Sequence, residues 1–448
     1  MKKTVQILIS LFTAILISNI ILKSFEECRL LLSLVFCTIV FLVRNYCYRN
    51  FEIFLCILIF FSNETFHLLP PFGGYYIYKQ FVLPILIIYV LDLFLQNKLK
   101  FGEYGGWVTM YGGLIIFGFI NSIWWGQPFM LGIKEIIYHV LFIIYFLVVN
   151  SNIDIDKFTK YLVFMGVIMS LLGALQYIFY GKFNIFYVDE ERIKLLMHET
   201  RGFRIYEGGW CVVIAAVVAF AKYLKKRSNF YGYIFIWLLI YTILIVQTRM
   251  QVVGIIVTAM VLYMINRKFS LKAVLSFGSI IIMVISMFPL FSKMDIKIIK
   301  ATREDFGKHS YTSYTGRRDA YIYYLKQFKK SPLIGYGYWN TNWEKNPQKS
   351  VEKRGISFAD IGIVHLMITS GILGLIWLFY GMARFIPRIL RGYHSLEASA
   401  YVILGVTTIT TLDYFIYGAS SIFIFGIFLG LLGNIQQENL GRIAIVDL

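Results

Sequence analysis

Residues 107–125 read WVTMYGGLIIFGFINSIWW. Not one of them is charged. At about 1.5 Å per helical residue the stretch reaches roughly 28 Å, close to the roughly 30 Å hydrocarbon core of a bilayer. It lacks the strict in–out alternation of a barrel strand, and only helices and closed barrels satisfy backbone hydrogen bonds in lipid. The run therefore reads as a transmembrane helix, and the question becomes how many others surround it.

The rest of the chain repeats the theme. Of 448 residues, 58% are hydrophobic and only 15% are charged, with a mean hydropathy of +0.68. A soluble domain carries more charge than that. Apolar runs fall at 5–22, 30–43, 51–62, 81–95, 107–125, 136–149 and 161–180. Others follow at 208–221, 231–246, 252–265, 273–291, 360–383, 398–412 and 415–432. The expected fold is an all-α polytopic membrane helix bundle of about 14 spans (12–14). One large outside loop should contain an amphipathic helix. The lysine-led segment MKKTVQILISLFTAILISNIIL resembles a signal peptide, but no small-residue cleavage site follows, so it reads as a retained first span.

Basic residues set the orientation. With the N-terminus in the cytoplasm, the inside breaks carry Lys2/Lys3, Arg44/Arg49, Lys98/Lys100, Lys157/Lys160 and Lys222/Lys225/Lys226/Arg227. Arg267/Lys268/Lys272, Arg384/Arg388/Arg391 and Arg442 continue the pattern. This obeys the positive-inside rule and places both termini in the cytoplasm. The organisation is then spans 1–11 over residues 1–291, a large outside loop over 292–358, and spans 12–14 over 359–448, with a smaller outside loop at 181–207. The net charge of +18 fits cytoplasmic loops, anionic lipid and phosphate ligands rather than nucleic acid. Cys28, Cys37, Cys47, Cys56 and Cys211 form no CxxC pair, so neither a metal site nor a disulfide framework is expected.

The large loop holds fourteen Lys/Arg and six Asp/Glu and is rich in aromatic residues. Tyr321, Tyr324, Leu325 and Phe328 fall on one helical face. The expected helix opens at Arg317 and Arg318, ends near Lys330, and lies on the outer membrane surface. Cations are disfavoured at a helix N-terminus unless an anion sits there, so the pair is either an anion site or a solvated loop pair. Arg249, in VQTRMQVVG, occupies a short outside turn, as a phosphate ligand or an interfacial anchor. ETRGFRIYEGGW (199–210) brings Arg201, Arg204 and Glu207 to the edge of a span, facing a cavity or forming a salt-bridge cluster. SPLIGYGYW (331–339) implies a tight backbone turn. Asp360 and His365 lie where SFADIGIVHLMITSGILGL (357–375) re-enters the membrane, as a helix cap and a buried histidine or as part of a site. His309 is the other histidine near the arginines by topology. Arginine clusters with one base suit a substrate that carries a lipid-linked pyrophosphate.

In order along the chain, RGFRIYEGGW, VQTRMQVVGIIV, TGRRDAYIYYLKQFKKSPLIGYG and ADIGIVHLMITSGILGL resemble the Wzy-type O-antigen polymerase and O-antigen ligase superfamily. The resemblance implies an inverting, metal-independent glycosyl transfer with no cofactor. A glycan would move from undecaprenyl pyrophosphate to an acceptor sugar hydroxyl at the outer face of a bacterial inner or plasma membrane. By matching position, Arg201, Arg249 and Arg317 would contact donor or acceptor, with Arg204 and Arg318 as close substitutes. Asp360 is the positional match for the base, with Glu207 and His309 as other candidates. Ligases show His-Asn where this chain has Ala359-Asp360, which favours a repeat-unit polymerase over a ligase. A lipid-linked glycan flippase is the alternative from another class. Expected partners are the lipid-linked glycan, the bilayer, a chain-length regulator and a flippase.

Overall fold

The computed structural model describes residues 50–62, 77–179, 197–198, 202–205, 209–268, 270, 313–340, 342–346, 361–409, 415 and 421–433. Among these residues the regular structure is helical, apart from a two-residue antiparallel pairing of β1 (Met197–His198) with β2 (Gly202–Phe203). The helices are α1 (Phe51–Ser62), α2 (Ile77–Leu95), α3 (Gly105–Trp124), α4 (Phe129–Ile136), α5 (Ile144–Val149) and α6 (Ile155–Ile178). They continue with α7 (Gly209–Lys226), α8 (Asn229–Tyr241), α9 (Arg249–Asn266), α10 (Ser313–Phe328), α11 (Ile363–Leu390), α12 (Leu396–Thr408) and α13 (Ser421–Gly433).

Six helical segments among the described residues are long and apolar enough to cross a membrane. One is Phe129–Val149, in which a 3₁₀ turn over His139–Ile143 joins α4 to α5. The expected spans 5–22, 30–43 and 273–291 lie outside the described residues, and the others coincide with helices. The figure of fourteen spans is therefore not reached by the residues described. Helix α7 is not among the six, and Lys222, Lys225 and Lys226 crowd its last turns.

Helix α7 is the hub. Its sequence, GWCVVIAAVVAFAKYLKK, is apolar or small on every side until those lysines. Val212 to Ala219 are sealed from solvent, as expected for a helix hydrophobic all round. It packs against α6, α8, α9 and α12. Close approach needs small residues. A Cβ on Gly166 of α6 would overlap the Ala215 side chain, and one on Gly173 would overlap Tyr241 of α8. A second staple joins α3 to α11. The rings of Trp107 and Trp377 stack in parallel at 4.3 Å, and each indole N–H donates to the other residue's carbonyl, at 2.7 and 2.9 Å.

The two ends of the bundle differ in chemistry. One end is tied by ion pairs: Lys157–Glu52 at 3.3 Å, Lys222–Asp156 and Lys226–Asp156 at 2.8 Å, Lys225–Glu397 at 2.9 Å, and Arg388 with Glu103. The other end collects the N-termini of α7, α9 and α11 and the C-terminus of α12, where the Ile363 N–H donates to the Ile409 carbonyl at 2.8 Å.

Helix α11 is broken at Gly371, whose φ of +65° and ψ of −155° no α-helix accommodates. An unbroken helix would pair Ile372 N–H with Ile368 C=O and Leu373 N–H with Thr369 C=O. A strap, residues 332–338, fills both gaps. Tyr336 and Gly337 donate to the Ile368 and Thr369 carbonyls at 2.7 and 2.9 Å, while the Pro332 and Leu333 carbonyls accept from Ile372 and Leu373 at 2.8 and 3.3 Å. In lipid each unpaired backbone group costs several kcal/mol, so irregular backbone is tolerated where protein satisfies it. The expected tight turn is real: Gly335 and Gly337 have φ of +67° and +80°. A Cβ on Gly335 would lie 2.5 Å from the Ile368 carbonyl, and one on Gly337 would strike the Gly118 carbonyl.

Candidate functional site

The segments that carry Arg204, Arg249 and Arg317 lie toward the end opposite the ion pairs. The strand-like segment ending in Arg204 is pinned when the Ile205 N–H donates to the Ile245 carbonyl at 3.2 Å. Ile245 lies in a π-helical turn, Thr242–Val246, that ends α8. Gln247 then takes a left-handed φ of +57° to reverse the chain within two residues, and Arg249 opens α9. Thr248 supplies no side-chain cap there. First-turn amides of a helix without a cap welcome an anion. Arg204 and Arg249 are both half-buried.

Helix α10 differs from expectation in two respects. It begins at Ser313, so Arg317 and Arg318 stand in its second turn and not at its N-terminus. The argument from the helix dipole therefore does not apply to them, because that effect fades within the first turn. Nor does the helix offer Tyr321, Tyr324, Leu325 and Phe328 as one membrane-facing stripe. Ala320 and Tyr324 are buried against Tyr336, Trp339, Trp343, Ile361, Val364 and Ile368, while Leu325 is exposed. The helix docks on the strap and the first turns of α11, where its aromatic residues find a protein partner.

The two arginines are unlike each other. Arg318 is exposed and bonded to Asp319, with Nη2 3.1 Å and Nε 3.2 Å from Oδ1. Arg317 is half-buried beside Tyr321, and its Nε is sealed from solvent with no hydrogen-bond partner among the described residues. A buried unsatisfied donor calls for a partner, and a guanidinium fork matches phosphate oxygens. Of the pair, Arg317 is the one with a buried donor unmatched among the described residues. Arg201, Glu207, His309 and Asp360 lie outside the described residues. His365 is buried near His139, in a cluster where the Tyr111 hydroxyl meets His139 Nδ1 at 2.7 Å and the His139 ring packs on Tyr338 at 4.2 Å.

Sequence reading missed one acid. Glu135 lies on α4, half-buried, and its Oε2 accepts from Asn340 Nδ2 at 3.0 Å. Asn340 is itself immobilised: its N–H donates to Gln127 Oε1 at 2.7 Å, its Oδ1 accepts from Asn342 N–H at 2.9 Å, and its carbonyl accepts from Asn346 Nδ2 at 3.1 Å. The signal was a lone acid in GIKEIIYHVLFIIYF, which a span drawn from residue 136 leaves just outside. Among the described residues no group is assembled that resembles a metal site.

Residues 234–379 match the family model described as O-antigen ligase, Wzy_C. The matched part runs from within α8 to within α11 and contains Arg249, Arg317 and the strap, but not Arg204. No curated protein matches the chain.

Proposed function

We propose that this chain, a membrane glycan-handling enzyme by its O-antigen ligase-type domain, is a polysaccharide repeat-unit polymerase. The donor is a glycan on undecaprenyl pyrophosphate, and the acceptor is a sugar hydroxyl. The acceptor oxygen attacks the anomeric carbon, the bond to the pyrophosphate oxygen breaks, and configuration inverts. The leaving pyrophosphate keeps the bonding electron pair, and guanidinium groups offset its charge. One observation carries this reading: Arg204, Arg249 and Arg317 belong to segments gathered at one end of the bundle, while the acid–lysine pairs hold the other. By the positive-inside rule the lysine end is cytoplasmic, which puts the arginine end outside. The site then faces the outer surface of a bacterial inner or plasma membrane, and both termini are cytoplasmic.

The second reading, a ligase that attaches finished glycan to a lipid or protein, is favoured by the family description itself. Glycan length analysis of a deletion strain separates the readings. A polymerase deletion leaves single repeat units and no long chains. Accumulation of free lipid-linked polymer assigns a ligase, and a block before any outer-face intermediate assigns a flippase.

A further inference from the structure

We propose that Glu135 is the general base that takes the proton of the acceptor sugar hydroxyl, an inference that rests on the glycosyl-transfer reading above. Three observations lead to it. First, Glu135 belongs to a segment long and apolar enough to span the membrane, and among the described residues it is paired with no cation. An ionisable group at such a position marks a functional site. Second, it is aimed. Asn340 holds one carboxylate oxygen, and Asn340 is itself held by Gln127, Asn342 and Asn346, while the second oxygen has no hydrogen-bond partner among the described residues. A base oriented by a fixed neighbour is the arrangement that proton abstraction needs.

Third, Glu135 and Arg317 flank one aromatic cluster. Leu131, one turn before Glu135, packs on that cluster, and so does Trp339, which adjoins Asn340. Ala320 and Tyr324, just after Arg317, are buried in it. A carboxylate and a phosphate-matching guanidinium bordering the same cluster suit a reaction that deprotonates one partner and expels an anion from the other. The acceptor O–H proton passes to Glu135 as the new C–O bond forms. The pyrophosphate departs with its electrons toward the arginines, and Glu135 later loses the proton to water.

The full-length protein in lipid nanodiscs tests this. The donor is the polyprenyl-pyrophosphate repeat unit extracted from a strain lacking the protein, and inorganic pyrophosphate serves as the binding probe. Glu135→Gln should lower kcat by about 10²-fold or more while pyrophosphate binding and thermal stability stay at wild-type levels. Glu135→Asp, with its shorter reach, should retain partial turnover. Turnover of Glu135→Gln within about threefold of wild type overturns the assignment. Joint loss of stability and pyrophosphate binding in both variants makes Glu135 structural and also overturns it. A wild-type protein that neither extends the glycan nor releases polyprenyl pyrophosphate sinks the polymerase reading itself, and this proposal with it.

Discussion

The backbone N–H of Tyr336 donates to the carbonyl oxygen of Ile368 at 2.7 Å. That carbonyl would serve Ile372 in an unbroken helix, so the strap stands in for a missing helical turn. The substitution holds α10, and Arg317 with it, against the first turns of α11. Four expectations follow from this arrangement and from the chemistry of the two ends.

The strap depends on its glycines. Gly337→Ala and Gly335→Ala each place a Cβ against a backbone carbonyl at a left-handed φ. Each should cost about 2–4 kcal/mol and lower the thermal midpoint in detergent. Gly112→Ala is the control, because nothing lies within 4 Å of its Cβ. It should be neutral or slightly stabilising. Equal midpoints for all three proteins would refute the strap's role.

Arg249→Ala and Arg317→Ala should abolish long-chain polysaccharide on a glycan gel, with single units accumulating and protein levels unchanged. Lysine should not rescue either position, because it lacks the planar fork. Arg318→Ala should be milder, since that guanidinium is already committed to Asp319. A normal ladder in the first two variants would sink the assignment.

Lys222 is fully buried, and its ammonium reaches the Asp156 carboxylate at 2.8 Å and the Asp156 carbonyl at 3.0 Å. Asp156→Ala leaves this charge without its anion. The cost should be about 1–3 kcal/mol, since Asp156 is itself partly solvated. Adding Lys222→Met should recover most of the loss in a thermal melt. Simple additivity of the two changes would show that the pair is not coupled.

His394 sits between α11 and α12, with Nε2 3.4 Å from the Tyr104 hydroxyl. Burial, aided by the nearby Arg388 charge, pushes its pKa down from 6.5 to about 4. The folded state thus favours the neutral ring. Above about pH 6.5 this contribution is fully present. Between pH 6.5 and about 4 the unfolded chain binds a proton that the folded chain refuses, so stability falls as pH falls, by about 2 kcal/mol. His394→Gln should flatten the melting temperature over this window. An unchanged slope would remove His394 as its source.

The helical membrane architecture was legible because apolar runs such as 107–125 are long and uncharged, and lipid leaves few alternatives. The opposition of lysine-rich and arginine-bearing ends was legible too, since it follows from placing Lys222 and Arg249 at opposite ends of their spans. What escaped was tertiary. Periodicity places Tyr321, Tyr324 and Leu325 together, but it cannot say that the strap and α11 would cover Tyr324 and leave Leu325 exposed. The motif around Gly335 announces a turn, yet its use as a filler of a broken helix depends on Gly371, 36 residues on. Glu135 was missed because its meaning lies in Asn340, which sequence does not place beside it.

The parallel tryptophans add a consequence for α11. Trp377 lies beyond the break at Gly371 and is indexed to α3 through Trp107. Ile368 and Thr369 lie before the break and are indexed to the strap. The two halves of α11 thereby answer to two separate frames of reference. Because no helical hydrogen bond carries the register across Gly371, the deep half and residues 361–370 are positioned by different partners. A change of packing around Trp107 and a change of packing around the strap therefore act on different halves of the same helix.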